Sequence, residues 1–291
     1  MLPSTSTGPV APIPTVVPDL PHFQELHDVG KRTLWVVTVL MGISSLVFYS
    51  LSARAPVAKR VFHTLSSLIT TISFITYLAL STGQGIGFNH AHIINHGTHG
   101  IPNTHQDVFR QVLWLRYVNW ALSTPLLLTI FALASGLPGA NLLAAIAANW
   151  VMLATGLLGS FAGHTRVRWV WLTLSCISYL VTLNHAGFHA QKAAQKQDGP
   201  TRKFFGAFSG SAFIALALFP ITLAAGTLAL KLSVDIETIL FAIQDIFTQG
   251  LLGYWLLGSS GSSLGVSLHL DGFWSHGAGT GAVRLPEDEG A

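Results

Sequence analysis

The stretch Val112–Ser135 reads VLWLRYVNWALSTPLLLTIFALAS. It is apolar over most of its length, yet it carries Arg116 and Asn119. A membrane-spanning helix needs about 20 mainly apolar residues to cross roughly 30 Å of hydrocarbon. The stretch is long enough to span a bilayer, and its arginine would then lie inside the membrane. Charges are costly there, so such a residue is first treated as functional.

The composition of the whole chain also indicates a membrane protein. Of the 291 residues, 50% are apolar and 9% are charged, whereas about a quarter of the residues of a soluble domain are charged. This excludes a soluble globular enzyme. The net charge of +3, without any run of basic residues, gives no reason to expect a nucleic-acid partner. The single cysteine, Cys176, excludes a disulfide framework and a multi-cysteine zinc site.

Seven stretches of the chain are long and apolar enough to span a bilayer. They lie near Thr33–Ala53, Val61–Thr82, Val112–Ser135, Asn141–Gly163, Trp169–His189, Phe204–Leu230 and Ile236–Leu257. Backbone groups in lipid must be satisfied within their own segment, which favours helices. The sequence therefore predicts an all-α fold, a bundle of seven transmembrane helices over residues 31–260. Residues 1–30 are interpreted as a Pro-rich extracellular or lumenal tail, and residues 261–291 as a flexible cytoplasmic tail.

Basic residues at the span ends give an orientation. The side that carries the C-terminus holds Arg54, Lys59, Arg60, Lys192, Lys196, Arg202, Lys203 and Arg284. The opposite side holds Lys31, Arg32, Arg110, Arg166, Arg168 and Lys231. Eight basic residues against six place the N-terminus outside and the C-terminus in the cytoplasm. We expect a multi-pass protein of the plasma membrane, with an endomembrane as the alternative, whose partner is the lipid bilayer. A homo-oligomer is left open.

Two polar stripes lie within the predicted spans. Residues three, four and seven apart share one face of a helix, so Arg116, Asn119 and Ser123 form one stripe. In the seventh predicted span, Asp245, Thr248 and Gln249 share a face and form the second stripe. If both stripes face inward, Arg116 and Asp245 can pair. The alternative to a functional site is a buried ion pair that only fixes the register of the helices.

Two motifs carry a resemblance to a known family. The run RYVNWALSTPLLL, Arg116–Leu128, resembles the third-helix signature of microbial rhodopsins, the bacteriorhodopsin family. The run DIFTQGLLGYWLL, Asp245–Leu257, resembles the seventh helix of that family, which carries its retinal. Tyr77 and the spacing from Glu237 to Asp245 also agree, with Glu237 at a position that pumps use for proton release. The likeness covers about residues 30–260 and is strongest to fungal opsins.

Several family positions differ in this chain. The resemblance places Gln249 where the family has its retinal lysine, and an amide cannot form a Schiff base. Asn119 stands at the proton-acceptor position and Ile130 at the proton-donor position. The aromatic residues around Pro220 are mostly replaced, by Leu216, Phe219 and Leu223.

These departures lead to a functional expectation. We expect no retinal cofactor, no covalent attachment and no proton pumping. The chain is then similar to the fungal opsin-related branch that lacks the retinal lysine and includes fungal heat-shock membrane proteins. That resemblance implies an accessory or stress-response role, with other membrane proteins as partners.

A second interpretation comes from the expected interior pocket. An apolar pocket with a few polar groups is a usual place for a small ligand. The residues predicted to line it are Tyr77, Arg116, Asn119, Trp120, Ser123, Asp245 and Gln249. A lipophilic small molecule could bind there, with Asp245 as a candidate catalytic acid or base, so an enzyme or carrier is the alternative. A non-covalent photoreceptor is a third interpretation.

The connection between the second and third spans is rich in histidine. It holds His90, His92, His96, His99 and His105. Because His92, His96 and His99 have helical spacing, they are weak candidates for metal ligands. The favoured interpretation is a solvated loop whose imidazoles titrate near pH 6.5, so no metal is predicted.

Overall fold

The computed structural model describes residues 22–55, 57–95, 104–196 and 199–261. Residues 1–21 and 262–291, most of the two predicted tails, lie outside these ranges. The assignment of both tails therefore stays a prediction.

The described residues form seven helices, as the sequence predicts. The first four are α1 (Asp28–Arg54), α2 (Val57–Ser81), α3 (Leu115–Ser135) and α4 (Gly139–Phe161). The last three are α5 (Thr165–Thr182, a π-helical turn Leu183–Phe188, and His189–Ala194), α6 (Gly199–Leu223, then a π-helical turn Ala224–Leu228) and α7 (Val234–Asp245, a π-helical turn Ile246–Leu251, and Leu252–Gly261). The seven-helix membrane fold is confirmed.

Six of these helices are long and apolar enough to cross a membrane, by length and composition. The exception is α5. Its uninterrupted α-helical part is 18 residues long, and two arginines, Arg166 and Arg168, lie in its first turn. Its π-helical turn and last segment extend the helix to Ala194.

The helices pack in sequence order around a closed ring. Each of α1 to α6 contacts the next helix, and α7 contacts α1. The interior is apolar over most of its volume, with an aromatic cluster in which Phe131 packs against Phe205, Phe208 and Phe213. Large apolar side chains such as Ile214 and Leu46, 73% and 70% exposed, face outward. An outward-facing apolar surface is what a lipid environment requires.

A small sheet covers the end of the bundle where α1 begins. Its strands are β1 (His22–Gln24), β2 (Gly87–Asn95) and β3 (Thr104–Val112), in the order β1-β3-β2. Strand β1 runs parallel to β3, and β2 runs antiparallel to it. The prediction of a solvated loop is wrong for β2 and β3. Along β2, Asn89 and Ala91 are buried while Phe88 and His92 are exposed, the two-residue period of a strand that covers a core.

Candidate functional site

The interior site is built around Asp245, the last residue of the first segment of α7. Its Oδ2 accepts a hydrogen bond from the Tyr77 hydroxyl at 2.5 Å. Its Oδ1 accepts one from Trp120 Nε1 at 2.6 Å and one from Gln249 Nε2 at 3.2 Å. Asp245 and Tyr77 are fully buried. Helices α2, α3 and α7 thus converge on one carboxylate, and each donor satisfies part of its hydrogen-bonding capacity.

Gln249 extends this network away from Asp245. Its Oε1 accepts a hydrogen bond from Asn119 Nδ2 at 3.1 Å and another from the Ser73 hydroxyl. Gln249 lies in the π-helical turn of α7, a feature that often occurs at functional sites. Sequence reasoning missed Ser73. It precedes Tyr77 by four residues on α2 and so shares its face, which was the available signal.

The predicted ion pair between Arg116 and Asp245 is wrong. Among the described residues, Arg116 makes no ion pair with Asp245. Its guanidinium lies over the ring of Phe241, 5.0 Å from the ring centroid. Its Nε and Nη2 atoms are buried and have no hydrogen-bond partner within the described ranges. The contact with the face of an aromatic ring is a favourable cation–π arrangement. Asp245 is instead satisfied by neutral donors.

The remaining predicted site residues, Ser123 and Thr248, lie nearby but do not join the hydrogen-bonded cluster. Ser123 is buried, and its hydroxyl has no hydrogen-bond partner in the part of the chain that the structure describes. Thr248 donates to the backbone oxygen of Gln244 at 2.9 Å and does not join the network. Of the seven predicted pocket residues, the structure therefore brings five into one hydrogen-bonded cluster: Tyr77, Asn119, Trp120, Asp245 and Gln249.

A narrow cavity runs from this cluster between α3, α4, α6 and α7. The side chains as they stand leave about 10 Å³ free, about the space of one water molecule. The residues that line it are Trp120, Ser123, Thr124, Leu127, Met152, Leu153, Leu216, Phe219, Gln244, Thr248 and Gln249. Phe219 lines this cavity and packs edge-on against Trp120, with ring centroids 5.1 Å apart. The α4 and α6 sides are apolar, whereas α3 and α7 also contribute the polar residues Ser123, Thr124, Gln244, Thr248 and Gln249.

A second polar cluster ties α7 to the sheet. Arg110 of β3 forms a buried ion pair with Glu237, with Nη2 and Oε2 2.5 Å apart. Arg110 also donates to the backbone oxygen of Leu232 at 2.9 Å, and Glu237 accepts from the hydroxyl of Thr227 at 2.8 Å. The sequence placed Arg110 in a loop, where its burial was not foreseen.

Known proteins resemble this chain over most of its length. Opsin-1 of Neurospora crassa is 36% identical over 289 residues, which are 98% of this chain and 95% of that protein. The opsin-like protein carO of Fusarium fujikuroi is 26% identical over 233 residues, 78% of this chain and 72% of that protein. The crystal structure of the light-driven proton pump LR (Mac) from Leptosphaeria maculans matches with a TM-score of 0.80 at 35% identity and covers 83% of this chain and 98% of that one.

Two expectations of the sequence analysis are wrong in view of these relatives. One was the absence of a retinal cofactor, whereas rhodopsins of this kind normally bind retinal. The other was a retinal-free, non-pumping accessory or stress-response role, with a metabolite enzyme or carrier as its alternative. The relatives are named opsins, and one solved neighbour is a light-driven proton pump. The expectation inferred the absence of retinal from the absence of a lysine at position 249. Burial of a polyene, however, gives binding free energy without any covalent bond.

The site fits retinal in one respect and differs in two. The walls formed by Trp120, Leu153, Leu216 and Phe219 have the apolar character that a polyene requires. Gln249, which the resemblance places at the attachment position, has no primary amine and cannot form a Schiff base. The free space of about 10 Å³ is far smaller than a polyene, so wall side chains such as Phe219 would have to move to make non-covalent contact with it.

The family assignment rests on the length of the match. The model of the family described as bacteriorhodopsin-like protein matches residues 30–260, which contain all seven helices except the first two residues of α1 and the last residue of α7. The chain therefore belongs to the bacteriorhodopsin-like protein family.

Proposed function

We propose that this protein is an opsin that binds retinal within its helix bundle by non-covalent contacts and responds to light. The observation that carries the proposal is the junction between the apolar cavity and the hydrogen-bonded cluster around Asp245. Gln249 belongs to both. A polyene that lies along Trp120 and displaces the ring of Phe219 would have its polar end next to the amide of Gln249.

The polar cluster gives this proposal a chemical basis. The Asp245 carboxylate is a buried negative charge held by Tyr77 and Trp120, on helices α2 and α3. A chromophore that changes shape beside it would disturb hydrogen bonds that join three helices. Electrostatic interactions are strong in such a water-poor interior, so a local change would be transmitted to the bundle.

The test is to supply all-trans-retinal to the purified protein and to the variant Gln249→Lys. We expect the wild type to retain retinal that organic solvent extracts unchanged. We expect Gln249→Lys to form a red-shifted pigment that hydroxylamine bleaches, because the new amine lies beside the same cavity. Leu153→Trp, which fills the cavity, is expected to abolish both. Failure of both wild type and Gln249→Lys to retain retinal would contradict the proposal.

Light-driven transport is measured in the same preparations. Vesicles that contain the retinal-loaded protein are illuminated while the external pH is recorded. A sustained light-dependent pH change would give the protein the activity stated for its Leptosphaeria maculans neighbour. A spectral change without a pH change would indicate light sensing.

We also infer that the N-terminus lies outside a plasma membrane and the C-terminus in the cytoplasm. The bias of basic residues, eight against six, supports this orientation. An epitope tag at each terminus tests it. Only the N-terminal tag should be accessible to antibody on intact cells.

A further inference from the structure

Three side chains on the outer face of the sheet bring their ligand atoms together. Nδ1 of His92 lies 2.7 Å from Oδ1 of Asp107, and Nε2 of His90 lies 3.2 Å from the same oxygen. The three ligand atoms all lie within 4.8 Å of one another. None of these residues belongs to the interior site or to the Arg110–Glu237 cluster.

The strand pairing explains why these residues meet. His92 of β2 is directly opposite Asp107 of β3 in the antiparallel register. His90 and His92 are two residues apart, so they point to the same face of the sheet. The backbone N–H of His92 also bonds to Gly163 between α4 and α5, with N and O 3.4 Å apart, which fixes the strand against the helix bundle.

The chemistry of the cluster is that of a metal site. Two imidazole nitrogens and one carboxylate oxygen form a ligand set that zinc uses in sites with three protein ligands and one open position. Zinc lies about 2.0–2.2 Å from such atoms, which separates neighbouring ligand atoms in a tetrahedron by roughly 3.5 Å. The separations of 2.7 and 3.2 Å are shorter than that value by about 0.8 and 0.3 Å, so the side chains must move apart slightly when zinc replaces their direct contacts.

The ring of His90 is held in place beside the carboxylate of Asp107. It stacks on Phe109 with centroids 4.4 Å apart, which restricts its orientation. Nε2 of His90 is shielded from solvent and faces Oδ1 of Asp107 at 3.2 Å.

We propose that His90, His92 and Asp107 bind a divalent first-row transition ion, with Zn²⁺ as the representative ion. The bound ion joins β2 to β3 on the outer face of the sheet. The site differs from the set His92, His96 and His99 that helical spacing suggested, because β2 is a strand. His96 and His99 lie outside the described residues.

The test uses the full-length protein in detergent, stripped of metal and titrated with ZnCl₂ against a competing fluorescent zinc chelator. We expect one zinc ion per chain. His90→Ala, His92→Ala and Asp107→Asn should each weaken zinc binding by about tenfold or more, since each removes a ligand. His96→Ala and His99→Ala are the matched controls, two histidines of the same connection, and should bind zinc like the wild type.

Circular dichroism and X-ray absorption test whether the variants stay folded and which atoms bind the zinc. Circular dichroism should show unchanged helix content in all five variants, because the ligands lie outside the helices. X-ray absorption of the zinc-loaded protein should show nitrogen and oxygen ligands only. Unchanged zinc affinity in His92→Ala or Asp107→Asn would overturn the proposal, as would an equal loss in His99→Ala. The titration needs no retinal, so its result is independent of the proposed function.

Discussion

The hydrogen bond from Tyr77 to Asp245 is the shortest contact to the central carboxylate, at 2.5 Å. Hydrogen bonds to a charged group contribute about 1.5–3 kcal/mol to stability. Tyr77→Phe keeps the ring and removes only the hydroxyl. We therefore expect this variant to lower the free energy of unfolding by about 1.5–3 kcal/mol, measured by equilibrium unfolding in mixed micelles.

Tyr117→Phe is the matched control for that variant. The Tyr117 hydroxyl is also buried, but its partner is the neutral hydroxyl of Ser160 at 2.7 Å. Its removal should cost about 0.5–1.5 kcal/mol. An equal loss of stability in the two variants would show that the charge on Asp245 does not strengthen its hydrogen bonds.

The buried pair Arg110–Glu237 gives a second prediction for single residues. Arg110→Met leaves Glu237 as an unpaired buried charge, and removal of one partner of such a pair costs about 3–5 kcal/mol. The double variant Arg110→Met/Glu237→Gln removes both charges and should be more stable than Arg110→Met alone. Thermal unfolding of the two variants and of Glu237→Gln measures the coupling. A double variant less stable than Arg110→Met would argue against a stabilising pair.

The sequence predicted which residues form the site better than it predicted their partners. The resemblance and the helical spacing identified Tyr77, Trp120, Asp245 and Gln249, which the structure brings together. The pairing of Arg116 could not be predicted. Helical spacing gives the face of a side chain but not its partner, and the Arg116 guanidinium lies over the ring of Phe241.

At the scale of helices, the contact between α4 and α6 depends on the absence of a side chain. A Cβ atom on Gly156 would lie 2.9 Å from Cζ of Phe219, and that ring is held between Trp120 and Phe241. Gly156→Ala should therefore destabilise the protein by about 1–3 kcal/mol through overpacking. Gly210→Ala is the control, because a Cβ there meets no described atom within 4 Å.

Thermal unfolding of the two alanine variants checks this prediction. Gly210→Ala should be close to the wild type or slightly more stable, because alanine favours helix over glycine. If Gly156→Ala is equally stable, Phe219 has room to move, and the cavity beside it is wider than its present free space.

The strands were the elements that the sequence did not reveal. Buried and less buried residues alternate over residues 88–92 of β2 and 107–112 of β3. In β2, however, histidine and asparagine occupy positions where a typical strand carries branched or aromatic residues. The same stretch of histidines also has helical spacing. The sheet depends on pairing between distant segments, such as β1 with β3, which local patterns do not report.

The helix bundle has an apolar outer surface, and we therefore expect a charged substitution on that surface to reduce insertion into the membrane. Ile214 on α6 is 73% exposed and faces lipid if the bundle spans a membrane. Ile214→Lys should reduce membrane insertion, at a cost of about 2.5–3.5 kcal/mol near the helix centre. Ile214→Leu is the control. The amount of each variant recovered in membranes measures the effect, and equal recovery would place this face of α6 against protein.

Composition and span lengths were sufficient to predict the bundle, because the bilayer requires long apolar helices. They did not predict that arginines outside the predicted spans would be buried. Arg110 and Arg168 are each 1% exposed, and both donate to backbone oxygens at the end of the bundle. The backbone oxygens that accept these hydrogen bonds belong to helix ends and connections that are distant in sequence and meet only in the folded protein.

The π-helical turn Ile246–Leu251 has an evolutionary consequence. A wide turn holds one residue more than the same length of α-helix. Deletion of a single amino acid there would restore regular α-helical winding and leave the following segment, Leu252–Gly261, facing nearly the same way, because the turn itself absorbs the extra residue. Leu252 and Leu256, now buried, would stay on the inward face. A deletion in a regular part of the same helix would instead rotate the residues that follow by about 100°. Relatives with a chain one residue shorter at this turn could therefore keep the same inward-facing leucines.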